Sequence, residues 1–95
     1  MSIRYTVVST QQAENQLIDL WMQSPTEERS SITNSSHGID NELGQDAERK
    51  GFPFPFPDHP NCRVFERFPL RVYFEVSEMD RLVRVLQFVK MADPL

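Results

Sequence analysis

The densest run of apolar positions lies between residues 62 and 89, and the rest of the chain is read around it. β-branched and aromatic residues dominate there, and a polar cluster, Ser77-Glu78-Met79-Asp80, separates two apolar runs at hairpin distance. The pattern predicts antiparallel strands from Leu70 to Val76 and from Arg81 to Val89, led by a third from Cys62 to Arg67 that ends before Pro69. With Val76 opposite Arg81, alternation places Arg71, Tyr73 and Glu75 on one face with Leu82, Arg84 and Leu86. The other face then carries Leu70, Val72, Phe74, Val76, Val83, Val85 and Val89, interrupted only by Gln87. Such a face must be buried, and a one-residue slip would drive arginines into it. The mixed face, a tyrosine between arginines, is the expected working surface.

Upstream, Ile3 to Val8 alternates as a first strand, with Ile3, Tyr5 and Val7 on one side. Ser9 or Thr10 offers a helix cap, and Ser9 with Gln12 has capping-box spacing. Ala13, Leu17, Leu20 and Trp21 then recur at helical spacing, which predicts a helix from about Thr10 to Gln23. Ser24-Pro25-Thr26-Glu27 reads as a second helix start, with serine capping, proline at the first helical position and glutamate at the third. Its inner face is expected at Ile32, Ser36, Ile39 and Leu43, and its end at Gly44. Ser35 to Gly38 is poor helix sequence, so a kink or a close backbone contact is expected there.

Between the helical and strand-rich parts lies Gly51-Phe-Pro-Phe-Pro-Phe-Pro-Asp-His-Pro60. Alternating proline forbids a central strand and favours extended geometry. Phe52, Phe54 and Phe56 are either plugs for an open end of the core or a sticky arm for a protein partner. The expected architecture is α+β, in the order β-α-α-β-β-β, with a helical hairpin packed on a small, mainly antiparallel sheet. Residues 1–95 are expected to form a single domain.

Length and charge narrow the function. Ninety-five residues leave room for one core. Apolar runs fall far short of the roughly 20 residues that span a bilayer, and the start of the chain has no apolar signal segment, so no membrane and a cytoplasmic location are expected. The net charge of −4 sits entirely in the first half, where four Lys/Arg face eight Asp/Glu, while residues 51–95 hold six of each. Any grip on phosphates must therefore come from the strand arginines. Cys62, the one cysteine, excludes an internal disulfide and a thiolate metal cluster and is expected as a small buried hydrophobe. No glycine-rich phosphate loop, metal-ligand cluster or serine-hydrolase elbow occurs, so no metal or cofactor is expected. His37 is expected at the surface without a role, and His59 beside Asp58 is an acid–base pair of weak standing.

The strand, helical hairpin and three-stranded meander resemble the RelE/ParE superfamily of toxins in type II toxin–antitoxin, or plasmid stabilisation, systems. The resemblance rests on Ala13-x3-Leu17-x2-Leu20-Trp21, Arg29-x2-Ile32, Ile39-Asp40-x2-Leu43, the Leu43-Gly-Gln-Asp46-Ala-x3-Gly51 corner, and the strands Leu70 to Val76 and Val83 to Leu86. It implies a cognate antitoxin and one of two activities: ribosome-dependent mRNA cleavage, or inhibition of DNA gyrase. It also places Arg71 on the family's third-strand arginine, Arg63 near the basic positions of the second strand, and Lys90 in the basic segment after the last. Arg71, Tyr73 and Arg84 are the candidate catalytic set, Arg63, Arg67 and Lys90 the candidate contacts to RNA or another target, and Phe52, Phe54 and Phe56 the candidate partner contacts. Where a nuclease of this family would carry a further arginine and an aromatic or histidine, this chain reads Met91-Ala92-Asp93-Pro94-Leu95. Glu66, Glu75 and Tyr73 are then the bases within reach, and no acid is evident. The reading that follows is a toxin that acts by binding, with an atypical nuclease and a non-toxic interaction scaffold, possible as a homodimer, as alternatives.

Overall fold

A computed structural model describes residues 3–92. Two helices lie across one face of a five-stranded sheet. The order is β1 (Thr6–Ser9), α1 (Gln11–Gln23), α2 (Thr26–Leu43), a 3-10 turn (Ala47–Arg49), β2 (Phe52–Pro53), β3 (Arg63–Arg67), β4 (Leu70–Ser77) and β5 (Leu82–Lys90). The strands run β1-β5-β4-β3-β2 across the sheet, antiparallel except where β1 joins β5 in parallel. The expected α+β architecture is therefore present, with one extra strand. β2 is two residues long and sits at an edge, where a proline without an N–H is tolerated. No helix among the described residues is long and apolar enough to cross a membrane.

The core fills the space between the helices and the inner sheet face. Ala13, Ile32, Ile39 and Leu43 come down from the helices onto Leu70, Val72, Phe74, Val83, Val85 and Phe88. Tyr5 closes one end, with Ile3 and Val7 packed beside it, as the alternation of the first strand predicts.

The β4–β5 hairpin differs from the sequence expectation in register. Ser77 pairs with Leu82 and Val76 with Val83, so the four-residue loop is Glu78 to Arg81. Arg81 belongs to the turn, at φ 51, and the loop is held by Asp80 N–H donating to Ser77 Oγ. This displacement of two residues leaves the faces unchanged, because side chains alternate with period two. A β-bulge then does change them. Phe74 pairs with Val85 but Tyr73 pairs with Gln87, leaving Leu86 as the extra residue. Beyond it Gln87 turns outward and Phe88, 5% exposed, replaces Val89 in the core. The lone glutamine on an otherwise hydrocarbon face marked this bulge. α1 covers the strand edge beside it, where Gln16 Oε1 accepts the Phe88 N–H at 3.0 Å.

At the helix junction three expectations are corrected. Thr10, not Ser9, caps α1, its Oγ1 accepting the Ala13 N–H, so the Ser9–Gln12 box does not form. Ser24 closes α1 instead of capping α2: its hydroxyl donates to Leu20 O at 2.7 Å, and Pro25 occupies the cap position. Trp21 stays at the surface as a platform for Arg29, whose guanidinium lies 4.4 Å from the ring centroid and donates to the carbonyls of Trp21, Met22 and Ser24.

On α2 the buried serine is Ser35, not Ser36. Its hydroxyl donates to the Arg67 carbonyl and ties the helix to the end of β3. The helix runs without a break through Gly38, and the expected close contact is with a side chain. A Cβ there would lie 2.1 Å from Arg67 Nε.

Candidate functional site

The outer sheet face, turned away from the helices, is built in three cross-strand rows. Glu66 stands opposite Arg71, Val64 opposite Tyr73 and then Gln87, and Glu75 opposite Arg84. The arm from residue 52 to 61 folds over the β3 side of this face. Its start is fixed by Gly51, at φ +62, where a Cβ would lie 1.8 Å from the Val64 carbonyl oxygen. Phe54 N–H donates to Cys62 O, and Phe56 and His59 exchange backbone hydrogen bonds around a tight turn.

The arm makes a second, small apolar layer. Phe54 and Phe56 pack on each other at 5.3 Å between ring centroids and on Tyr73 at 5.4 and 5.8 Å. Val64 and Cys62 are buried although they lie outside the main core. Burial pushes the Cys62 thiol pKa up, and the nearby Glu75 carboxylate adds to this, so the thiol is held protonated. The phenylalanines are not plugs of the main core, and they do not stand free of the protein. They half-cover the predicted working surface, with Phe52 and Phe54 still 53% and 42% exposed.

The predicted site residues separate into two groups. Arg71, Tyr73 and Arg84 do share the outer face, but Arg84 stands across from Glu75 and not from Tyr73. Arg71 is neutralised by Glu66, its Nε donating to Oε2 at 2.6 Å, and this bond followed by that to Tyr73 holds the guanidinium pKa above its ordinary value. The three expected contact cations lie elsewhere. Arg63 donates to the carbonyls of Lys50 and Gly51, at 2.9 and 3.2 Å, and so anchors the start of the arm. Arg67 runs over Gly38 of α2. Lys90 pairs with Glu28 at 3.0 Å and reaches Ser24 Oγ, bridging β5 to the helices.

One pair escaped the sequence reading. His59 Nδ1 lies 3.0 Å from Glu75 Oε1, so the partner of the histidine is a strand carboxylate sixteen residues away and not its neighbour Asp58. Both residues had been singled out, but nothing in the linear pattern joins a loop histidine to a mid-strand glutamate. Beside them opens a polar cleft of about 270 Å³, lined by Asn61, Glu75, Ser77, Asp80 and Arg84 among others. Among the described residues no group of three His, Cys, Asp or Glu is placed to hold a metal ion. On the opposite side of the molecule Leu17, Ile18, Trp21 and Ile32 line an apolar groove of about 240 Å³ along the helical hairpin.

The sequence matches no protein-family model and no curated protein. Solved structures do match in fold. A chain of the toxin–antitoxin complex RelBE2 from Mycobacterium tuberculosis superposes with a TM-score of 0.71 at 19% identity, over 96% of this chain and 95% of that one. A chain of the chromosomal ParDE system of P. aeruginosa gives 0.70 at 18% identity, over 94% and 98%. The isolated E. coli RelE toxin gives 0.51 at 13% identity, over 95% and 87%. Two helices on a mostly antiparallel sheet, matched over nearly whole chains, give this protein the RelE/ParE toxin fold.

Proposed function

We propose that this chain is the toxin component of a type II toxin–antitoxin, or plasmid stabilisation, module and that it acts through its outer sheet face. The observation that carries the reading is the whole-chain likeness to subunits of toxin–antitoxin systems. Binding a protein target such as DNA gyrase is the first mode. It is favoured by the exposed aromatic arm on that face and by the loss of Arg71, Arg63 and Lys90 to internal partners, which leaves few cations for a phosphate backbone. Ribosome-dependent mRNA cleavage is the second, favoured by His59 on Glu75 beside Arg84, because phosphodiester cleavage needs a proton acceptor and a cation on one surface.

The partner of the module is an antitoxin that covers the outer face or the helical groove, basic where it meets the acidic residues Glu14, Asp19, Glu27, Glu28, Asp40 and Glu42, of which Glu28 and Glu42 are already paired with Lys90 and Lys50. Induction in a bacterial host, with and without the adjacent short reading frame, tests the toxin reading. Arrested growth relieved by that frame supports it. Unimpaired growth overturns it and leaves an interaction scaffold, such as a homodimer. Gyrase supercoiling with pure protein, and primer extension on translated mRNA, then separate the two modes. Arg71→Ala is the accompanying variant: toxicity unchanged by it removes Arg71 from the site.

A further inference from the structure

We propose that two copies of this chain associate through the outer faces of their β3–β4 hairpins, with Phe68 of each copy seated against the arm of the other.

Three features lie in line along that hairpin. The first is a hollow of about 170 Å³ over the Val64–Tyr73 row, lined by Phe52, Phe54, Val64, Arg71 and Tyr73. A cavity of about 150 Å³ accepts benzene, so the hollow has room for one phenyl ring. The second is the Glu66–Arg71 ion pair on the next row, with both side chains partly exposed. The third is Phe68, 54% exposed in the turn that joins the two strands. Phe68 and the hollow therefore stand two residues to either side of Glu66, roughly 7 Å each way along the strand.

Equal spacing about a central ion pair makes this surface self-complementary. Under a two-fold axis through the pair, the ring of each copy meets the hollow of the other, and Glu66 of each meets Arg71 of the other. Charge selects this face for a second copy. The outer rows hold Glu66 and Glu75 against Arg71 and Arg84, a balance of zero, whereas two helical faces would bring Glu14, Asp19 and Glu27 against their own kind. Strand addition along the arm is the other route to a dimer, and the arm refuses it. Pro53, Pro55 and Pro57 have no N–H to offer, and the N–H groups of Phe54 and Phe56 already donate within the arm.

The exposed area sets the strength. Phe52, Phe54 and Phe68 are each about half exposed, and a phenylalanine has about 150–250 Å² to bury, so the rings supply roughly 300 Å² per copy. A stable interface takes about 800 Å² from each partner, so the dimer is weak and depends on concentration. The contact covers Arg71 and Tyr73, so a copy held in the dimer does not present that face to a target. None of this depends on the toxin reading.

Sedimentation velocity on the full chain, over a series from micromolar to sub-millimolar concentration, provides the test. The weight-average mass should rise from that of the monomer towards that of the dimer. F68S should weaken association at least about tenfold, and F52S, on the side of the hollow, should do the same. Charge reversal reads the axis. E66R and R71E should each fail to associate alone, while an equal mixture of the two should associate, because opposite charges then meet across the axis. Thermal melts identify any variant that fails to fold, and the ring variants and the mixture probe the contact through different residues. A chain that stays monomeric throughout overturns the proposal and leaves the hollow to a different protein. Association that survives folded F68S and F52S, or a mixture no stronger than its components, overturns it too.

Discussion

Phe54 and Tyr73 meet edge to face, their ring centroids 5.4 Å apart, on the side of the sheet away from the helices. That contact makes the proline-rich arm part of the folded domain and leaves it outside the main core. Replacing Phe54 and Phe56 together by serine should therefore cost about 1–3 kcal/mol and leave the domain folded, since each ring is only partly buried. The same variant should bind the antitoxin at least tenfold more weakly by calorimetry. A double variant that is unfolded by circular dichroism would make the rings core elements and end the partner role.

The bulge at Leu86 decides which of two neighbours is buried. Phe88→Ala should cost about 3–5 kcal/mol, because it empties a filled core position. Val89→Ala should cost under about 1 kcal/mol, as an outward-facing change. Denaturant titration of the two variants measures this, and the reverse ranking would mean a regular ladder.

Two glycines with close neighbours should respond differently to alanine. At Gly38 the obstacle is the flexible end of Arg67, which can move, and alanine gains up to about 1 kcal/mol in helix preference, so Gly38→Ala should be close to neutral. At Gly51 the obstacle is the Val64 backbone and φ is positive, so Gly51→Ala should cost more than about 2 kcal/mol and lift the arm. Faster labelling of the Cys62 thiol by a disulfide reagent reports the lifting, because Cys62 is buried outside the main core and its carbonyl accepts the Phe54 N–H of the arm.

The Tyr5 hydroxyl donates to Glu48 Oε2 at 2.6 Å, and this bond sets two pH limits. Burial, and then the bond to Glu48, raise the Tyr5 pKa. Its contribution is complete below the unfolded value of about 10 and is lost as pH rises through the higher folded value. The same bond lowers the Glu48 pKa, so that contribution is present above the unfolded value of about 4.3 and is lost as pH falls through the lower folded one. Tyr5→Phe should flatten both limbs of a stability-against-pH curve. A curve of unchanged shape would show that the bond adds nothing.

Local chemistry alone determined much of this protein. Period-two alternation in Leu70 to Val76 and helical spacing at Ile32, Ile39 and Leu43 each report which side of an element avoids water, and that preference belongs to the residues themselves. It was enough to predict the architecture, most of the core and the outer placement of Arg71, Tyr73 and Arg84. Other choices were decided in three dimensions, because their partners are far apart in the chain. Ser24 suits the start of α2 as well as the end of α1, and packing gave it to α1. Arg63 and Lys90 look like free cations until the carbonyls of the arm and Glu28 of α2 arrive beside them. The arm had no fixed place until Phe54 and Phe56 met Tyr73. His59 and Glu75 became a pair only because the turn after Phe56 carries the histidine back over β4. A linear pattern encodes the burial preference of each residue, whereas the identity of a polar partner depends on which segments the sheet brings together.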